Sequence, residues 1–299
     1  MPTWLVTGAE GMLGRELVAL LHGVGEPVVP TSRAVLDVTE ARAVDAAVSS
    51  IVRTAGGESQ VRAIVVNLAA WTDVDAAEVD EPGARLVNVT GAANVARACR
   101  RAGARMIQLS TDYVFDGESD QPYAEDAPVA PATAYGRTKV EAEREVTDAL
   151  PDTGVVLRTG WLYGVHGPNF VRTMVRMSDE RPYVDVVNDQ RGQPTWAFDL
   201  AERIVDVGRL LDASGIAGVL HATNSGSTTW YGLARAVFAE RGLDPDRVRP
   251  VGSDRMPRLT PRPAYSVLGH DRWARIGLAP MRPWRTALAA AAPTVLSGD

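Results

Sequence analysis

Seven residues near the N-terminus, Gly8-Ala9-Glu10-Gly11-Met12-Leu13-Gly14, constrain this chain more than any other stretch. They follow the short apolar run Trp4-Leu5-Val6-Thr7 and precede Glu16-Leu-Val-Ala-Leu-Leu, which has the apolar spacing of an amphipathic helix. Strand, three-glycine turn and helix in that order open a parallel strand–helix–strand unit. Glycines let the backbone turn tightly and approach a pyrophosphate, which then rests on the unpaired N–H groups of the helix N-terminus. The stretch therefore reads as a dinucleotide-binding loop that places Gly8, Gly11, Met12, Leu13 and Gly14 against a cofactor. A purely structural glycine turn is the competing reading.

The same alternation continues. Residues 27–30, 63–68, 105–109 and 155–158 read as strands, and 41–53, 84–102 and 135–150 as helices. Strands alternating with such helices pair in parallel through right-handed crossovers, which predicts an α/β doubly wound sheet over residues 1–160. Residues 161–299 are broken more often by proline and glycine and read as a smaller C-terminal part over the carboxyl edge of the sheet, where such folds bind ligands. Within it, 198–211, 230–241 and 284–292 read as helices and 218–221 as a strand. A segment near 195–225 is the candidate to return to the sheet.

Composition excludes several classes. A formal charge of −6 offers no basic face to a nucleic-acid polymer. One cysteine, Cys99, rules out an internal disulfide framework, and His22, His166, His221 and His270 are too scattered for a zinc cluster. No apolar run approaches the roughly 20 residues that span a bilayer. A cytoplasmic chain without a membrane partner is expected. Lys139 is the sole lysine among 31 basic residues. Where arginine serves for every generic positive charge, that one ammonium reads as chemically required.

Two further constellations carry chemistry. After the second strand stands Ser32-Arg33 rather than the acidic residue that would hold ribose hydroxyls, so Arg33 is a partner for a 2′-phosphate and NADPH is favoured, with NADH as the alternative. Asp37-Val38 follows, to hold the adenine edge or to cap the next helix. Ser110-Thr111-Asp112 closes a strand, and Tyr135 and Lys139 share one helix face at i, i+4. Hydroxyl, phenol and ammonium at the carboxyl end of a dinucleotide sheet form a proton-delivery set. The ammonium is expected to lower the phenol's pKa and to donate to ribose hydroxyls.

Taken together these residues resemble the extended short-chain dehydrogenase/reductases, and within them the dTDP-4-dehydrorhamnose reductase family. The resemblance is carried by Leu36-Asp37-Val38-Thr39, Asn67 to Ala70 with Trp71-Thr72-Asp73-Val74-Asp75-Ala-Ala-Glu78, and the octet Ser110-Thr-Asp-Tyr-Val-Phe-Asp-Gly117. It continues through Tyr135-Gly136-Arg137-Thr138-Lys139, Arg158-Thr-Gly-Trp161, Val187-Asn188-Asp189-Gln190 and Arg262-Pro263-Ala-Tyr-Ser266. It implies a Rossmann-like fold with a C-terminal substrate-binding domain. It also implies NADPH-dependent reduction of the C4 ketone of dTDP-4-dehydro-6-deoxy-L-mannose. By that resemblance Tyr135 gives a proton to the nascent alkoxide, Thr111 bonds the C4 oxygen, and Lys139 orients the ribose. Asp112 and Trp161 match positions beside the sugar, and Ala69, Ala70, Trp71 and Thr72 match positions along the cofactor.

Three departures stand out. Thr138 replaces a more usual serine, and Gly160 and Trp71 differ from common family choices. Glu16 matches one of the glutamates through which some members bridge a dimer by magnesium, but the others are not evident, so no metal is expected and a homodimer is left open. Asp73, Asp75 and Glu78 read as solvated charges at a helix start. Two other functions stay open: a 4-ketoreductase for another dTDP-6-deoxyhexose, and a non-catalytic regulatory subunit resembling the β subunit of methionine adenosyltransferase. Intact Thr111, Tyr135 and Lys139 argue for turnover.

Overall fold

The computed structural model describes residues 1–55, 63–214 and 216–297. Strands β1 (Thr3–Thr7), β2 (Val28–Thr31), β3 (Ala63–Asn67), β4 (Arg105–Thr111) and β5 (Gly154–Thr159) alternate with six helices. These are α1 (Met12–Gly23), α2 (Ala41–Ala55), α3 (Val74–Val79), α4 (Glu81–Arg85), α5 (Gly91–Ala102) and α6 (Ala134–Ala149). There follow β6 (Leu162–Tyr163), α7 (Phe170–Glu180), β7 (Val184–Val187), β8 (Arg191–Gly192), β9 (Thr195–Trp196), α8 (Ala197–Ser214) and β10 (Gly218–His221). Then come β11 (Thr228–Thr229), α9 (Trp230–Glu240), β12 (Val248–Val251), α10 (Asp271–Arg275) and α11 (Trp284–Val295).

Among the described residues the largest sheet has six strands, all parallel, in the order β10-β5-β4-β3-β1-β2. Its strands are apolar on both faces because helices cover both. Trp4, Val6, Ile64, Val66, Ile107 and Leu157 join a core with α1 and α8, while Leu5, Val65, Met106 and Val156 join one with α2, α5 and α6. The two-residue alternation of side chains along a strand sorts them. A third core lies between α7, α9 and α11 and the parallel pair β7–β12, built on Val171, Met174, Val184, Val186, Phe238 and Leu288.

The long helix expected over 84–102 is divided. A π-helical stretch, Leu86–Thr90, separates α4 from α5 and turns the buried Asn88 inward. Such inserted turns recur at functional sites because they re-aim one side chain. Helix α7 was not legible from the glycine- and proline-rich stretch before it. Asn169 starts it by accepting the N–H of Arg172 at 3.1 Å.

Candidate active site

The carboxyl ends of β1, β2 and β3 open into a cleft of about 990 Å³. Gly8, Gly11, Met12, Leu13 and Gly14 line it on one side, and Ala69, Ala70, Trp71 and Thr72 on another, with Arg33, Asp37 and Val38 along its far wall. Gly8 has φ +66°, and a Cβ there would stand 2.8 Å from the Ala69 amide nitrogen. A Cβ on Gly14 would collide with the Gly8 carbonyl. The turn is therefore as tight as the sequence requires. Gly11 caps α1 without a side-chain hydrogen bond, so the first N–H groups of that helix remain available to an anion. These features fit a dinucleotide. Arg33 extends into solvent, 85% exposed, with its Nε 3.5 Å from Asp37. Asp37 accepts the Thr39 N–H at 2.9 Å and its hydroxyl at 2.8 Å, so it shapes the turn after β2. Ser32 does not line the cleft; its carbonyl accepts the N–H groups of Val35 and Leu36 in that same turn.

Beneath the cleft runs a chain of buried polar groups. The Thr7 hydroxyl donates to Asn67 Oδ1 at 2.6 Å, Asn67 Nδ2 to Gln108 Oε1 at 2.8 Å, and Gln108 Nε2 to the Leu109 carbonyl at 2.9 Å. Lys139 Nζ donates to that same carbonyl at 2.6 Å. Buried polar atoms need such partners, and this chain fixes the sole lysine against a cleft-lining residue. Burial pulls the Lys139 amine down to about 8, opposed by the negative charge of Glu143 one turn further along α6. Glu143 is itself held by the Ser110 hydroxyl at 2.5 Å and by Arg158 through Nε at 2.9 Å and Nη2 at 2.7 Å.

Tyr135 lies on the first turn of α6, which begins where Thr133 accepts the Gly136 N–H at 3.0 Å. The phenol is pushed up to about 12, the opposite of what pairing with Lys139 implies. Desolvation of the phenolate outweighs the hydrogen bond with Thr111, and the Asp112 charge adds to it. Thr111 donates to Asp112 Oδ1 at 3.0 Å. The Asp112 carboxyl, 3% exposed, is raised to about 6 by burial against the pull of hydrogen bonds with Ser266 and Thr111. Gly160 makes room for it, since a Cβ there would stand 2.7 Å from Asp112 Oδ2.

A second cavity of about 550 Å³ is lined by Tyr113, Trp161, Met174, Trp230, Arg262 and Ser266 among others, while the buried Thr111, Asp112, Tyr135 and Lys139 line neither of these two cavities. Trp161 has φ +49°, unusual for a large side chain, and stacks on Trp230 with ring centroids 3.5 Å apart and planes 3° off parallel. Trp230 is fixed in turn by its Nε1–H on Gln190 at 3.1 Å. The octet of residues 110–117 builds the junction of the two cavities. Tyr113 packs edge-on against Tyr135 at 5.7 Å, Val114 and Phe115 enter a small core, and Asp116 accepts the Tyr123 hydroxyl at 2.5 Å. Leu109, two residues before Thr111, lines the first cavity and Tyr113, two after, lines the second.

The family description "RmlD substrate binding domain" matches residues 2–296. The chain belongs to that family. A Streptomyces niveus protein named dTDP-4-keto-6-deoxy-D-glucose reductase is 52% identical over 296 residues, covering 99% of this chain and 98% of its own. A Streptomyces griseus dTDP-4-dehydrorhamnose reductase is 49% identical over 295 residues, covering 98% and 94%. The crystal structure of dTDP-4-dehydrorhamnose reductase from Bacillus anthracis in complex with NADP superposes with a TM-score of 0.89 at 33% identity, covering 97% of this chain and 99% of that one.

Within this RmlD-family site, sequence reasoning passed over Asn88. Its Oδ1 accepts the Trp71 N–H at 2.8 Å, and its Nδ2 donates to the Trp71 carbonyl at 3.2 Å and to Thr138 Oγ1 at 2.9 Å. One amide thus ties the cleft wall to the helix of Tyr135. An asparagine inside an otherwise small and apolar helical stretch was the signal, because a buried amide must find partners. Thr138 also donates to the Tyr135 carbonyl at 2.8 Å, so the hydroxyl is the feature in use and threonine supplies it as serine would. The acidic stretch is a correction. Asp73 caps α3 through the Ala76 N–H as a helix-start charge, while Asp75 and Glu78, each still about a third exposed, also bind a distant part of the chain. Among the described residues no cluster of three or more His, Cys, Asp or Glu is placed to hold a metal, and no helix is long and apolar enough to cross a membrane.

Proposed function

We propose that this protein catalyses NADPH-dependent reduction of the C4 ketone of dTDP-4-dehydro-6-deoxy-L-mannose, yielding dTDP-L-rhamnose and NADP⁺. The observation that carries this is the stretch from Leu109, on the wall of a cleft shaped for a dinucleotide, to Tyr113, on the wall of a cavity lined by aromatic rings and two arginines, with Thr111 between them in the chain and Tyr135 packed on Tyr113. When bound, the reduced nicotinamide supplies the hydride that adds to C4. The residues of this chain do the rest. A phenol raised to about 12 is protonated at neutral pH, as a donor to a nascent alkoxide must be. Thr111 holds the C4 oxygen by a hydrogen bond, and the Tyr135 O–H bond breaks as the product hydroxyl forms. Lys139 orients the ribose from beneath, with its Nζ anchored on Leu109. Gly8, Gly11, Met12, Leu13 and Gly14 seat the pyrophosphate, and Arg33 pairs with the 2′-phosphate. Ala69 to Thr72 flank the cofactor, and Asp112 and Trp161 face the sugar. Under this reading the sheet with its helices, including α8 and β10, is the cofactor domain and the third core belongs to the sugar domain. Under the same reading the enzyme works in the cytoplasm, and light scattering decides between a monomer and a homodimer.

A second reading takes another dTDP-4-keto-6-deoxyhexose as substrate. It is favoured by a relative at 52% identity whose name specifies a D-glucose configuration. Purified protein should oxidise NADPH only when a ketosugar is added. A higher kcat/KM for dTDP-4-dehydro-6-deoxy-L-mannose than for its D-glucose-configured isomer supports the first reading, and the reverse order the second. No oxidation with either would leave a non-catalytic role.

A further inference from the structure

Helix α3 carries two carboxylates one turn apart, and each reaches a different wall of the site. Asp75 binds Arg262 through both oxygens, at 3.0 Å from Nη1 and 2.8 Å from Nη2, and Oδ1 also accepts the Thr260 N–H at 3.1 Å. These partners lie 185 and 187 residues away, in the segment that forms a wall of the second cavity. The Arg262 side chain is only 16% exposed, and it lines that cavity. Glu78 reaches the opposite way. Its Oε2 accepts the N–H of Ala134 at 2.9 Å, the residue directly before Tyr135. Glu81, at the start of α4, grips Arg137 on the same helix turn through Nε at 3.1 Å and Nη2 at 2.6 Å.

We propose that Asp75 and Glu78 are positioning residues, and that α3 is a brace fixing the separation between the sugar-side arginine and the proton donor. Neither touches the reacting atoms. Their effect follows from geometry: a displacement of about 1 Å at a reacting group costs on the order of 10²-fold in rate. The bidentate Asp75–Arg262 fork is directional as well as charged, so it fixes where the guanidinium stands. Glu78 satisfies one of the unpaired N–H groups at the start of α6, where a negative charge also suits the helix dipole. The idea rests on the reductase reading only for which step suffers.

The test uses the full-length protein and four variants: Glu78→Ala, Glu78→Gln, Asp75→Asn and Asp75→Ala. Glu78→Ala should lower kcat by about tenfold or more with the KM for NADPH unchanged, and Glu78→Gln should restore it, because the amide oxygen still accepts the Ala134 N–H. Asp75→Asn and Asp75→Ala should instead raise the KM for the ketosugar by about tenfold with a smaller change in kcat. Peptide-resolved hydrogen exchange over residues 133–139 should speed up in Glu78→Ala and not in Glu78→Gln, and that readout needs no turnover. Equal losses of kcat and KM in all four variants, or unchanged exchange in Glu78→Ala, overturn the brace. A wild-type protein inactive on every ketosugar would sink the reductase reading alone, since the exchange arm still decides the brace.

Discussion

The two cavities are built by different means. The larger is built chiefly from short turns at the ends of sheet strands, namely the glycine turn after β1, the turn after β2 and residues 68–72 after β3, and is closed by Leu162 and residues 165–168 with Arg172 of α7. The smaller draws on residues from 113 to 266, and side-chain contacts hold its walls: the Trp161–Trp230 stack, the Trp230–Gln190 hydrogen bond and the Asp75–Arg262 fork. A backbone cradle binds what all dinucleotides share. A side-chain wall is easier to alter without disturbing the fold, so it is where relatives of similar sequence can differ in sugar.

The shared boundary should give the largest effect. Tyr135→Phe keeps the ring and its contact with Tyr113 but removes the proton, so kcat should fall by roughly 10² or more while both ligands still bind. Near-normal turnover would mean that another group supplies the proton and that the cavities do not meet at this phenol. A smaller effect should touch the dinucleotide side alone. Arg33→Ala should raise the KM for NADPH by about 10–150-fold, the worth of a charge-assisted hydrogen bond, and leave NADH and ketosugar constants alone. Equal effects on both coenzymes would confine Arg33 to its contact with Asp37.

On the sugar side, Trp230→Ala removes the ring on which Trp161 rests. The left-handed backbone at Trp161 costs on the order of 1–2 kcal/mol, and the stack returns about 0.5–1.5 kcal/mol of it. The KM for the ketosugar should rise about 2–10-fold with coenzyme binding intact, as read by fluorescence titration with NADPH. Loss of coenzyme affinity would show that the two walls are not separable.

A last comparison distinguishes the sides by pH and needs no turnover. Lys139, beneath the first cavity, has its amine lowered from 10.5 to about 8 in the folded chain. The unfolded chain then holds more protons between those values, so stability rises with pH across that window. Asp112, toward the second, has its carboxyl raised from 3.8 to about 6. There the folded chain holds more protons, so this contribution is present below 3.8 and lost as pH rises through about 6. Each contribution is on the order of 3 kcal/mol. Urea midpoints against pH should lose the alkaline rise in Lys139→Met and the acidic fall in Asp112→Asn. A retained slope in either variant would assign it to other groups.

The sheet and the first cavity were legible because they are local. Short continuous apolar runs, a glycine turn after the first of them and a Tyr–Lys pair at helical spacing each report on a few adjacent residues. Of the residues singled out for the cofactor, the glycine-turn residues, Arg33, Asp37, Val38 and residues 69–72 line the first cavity, whereas Ser32 does not and its carbonyl accepts the Val35 and Leu36 N–H groups. The second cavity was legible only through Trp161, since no spacing in the chain announces that Trp230 will stack on it.

Residue type and order by themselves determined a doubly wound parallel sheet and a tight glycine turn at its first strand, and singled out a phenol and an ammonium at helical spacing. Tertiary structure alone decided how those groups are charged and aimed. Burial raised Tyr135 where sequence proximity to Lys139 argued for lowering, and Lys139 spends a hydrogen bond on Leu109. It turned Asp75 and Glu78 from surface charges into partners of segments that lie up to 187 residues away. Desolvation and long-range hydrogen bonding depend on what surrounds an atom in three dimensions, and neither leaves a period in the sequence.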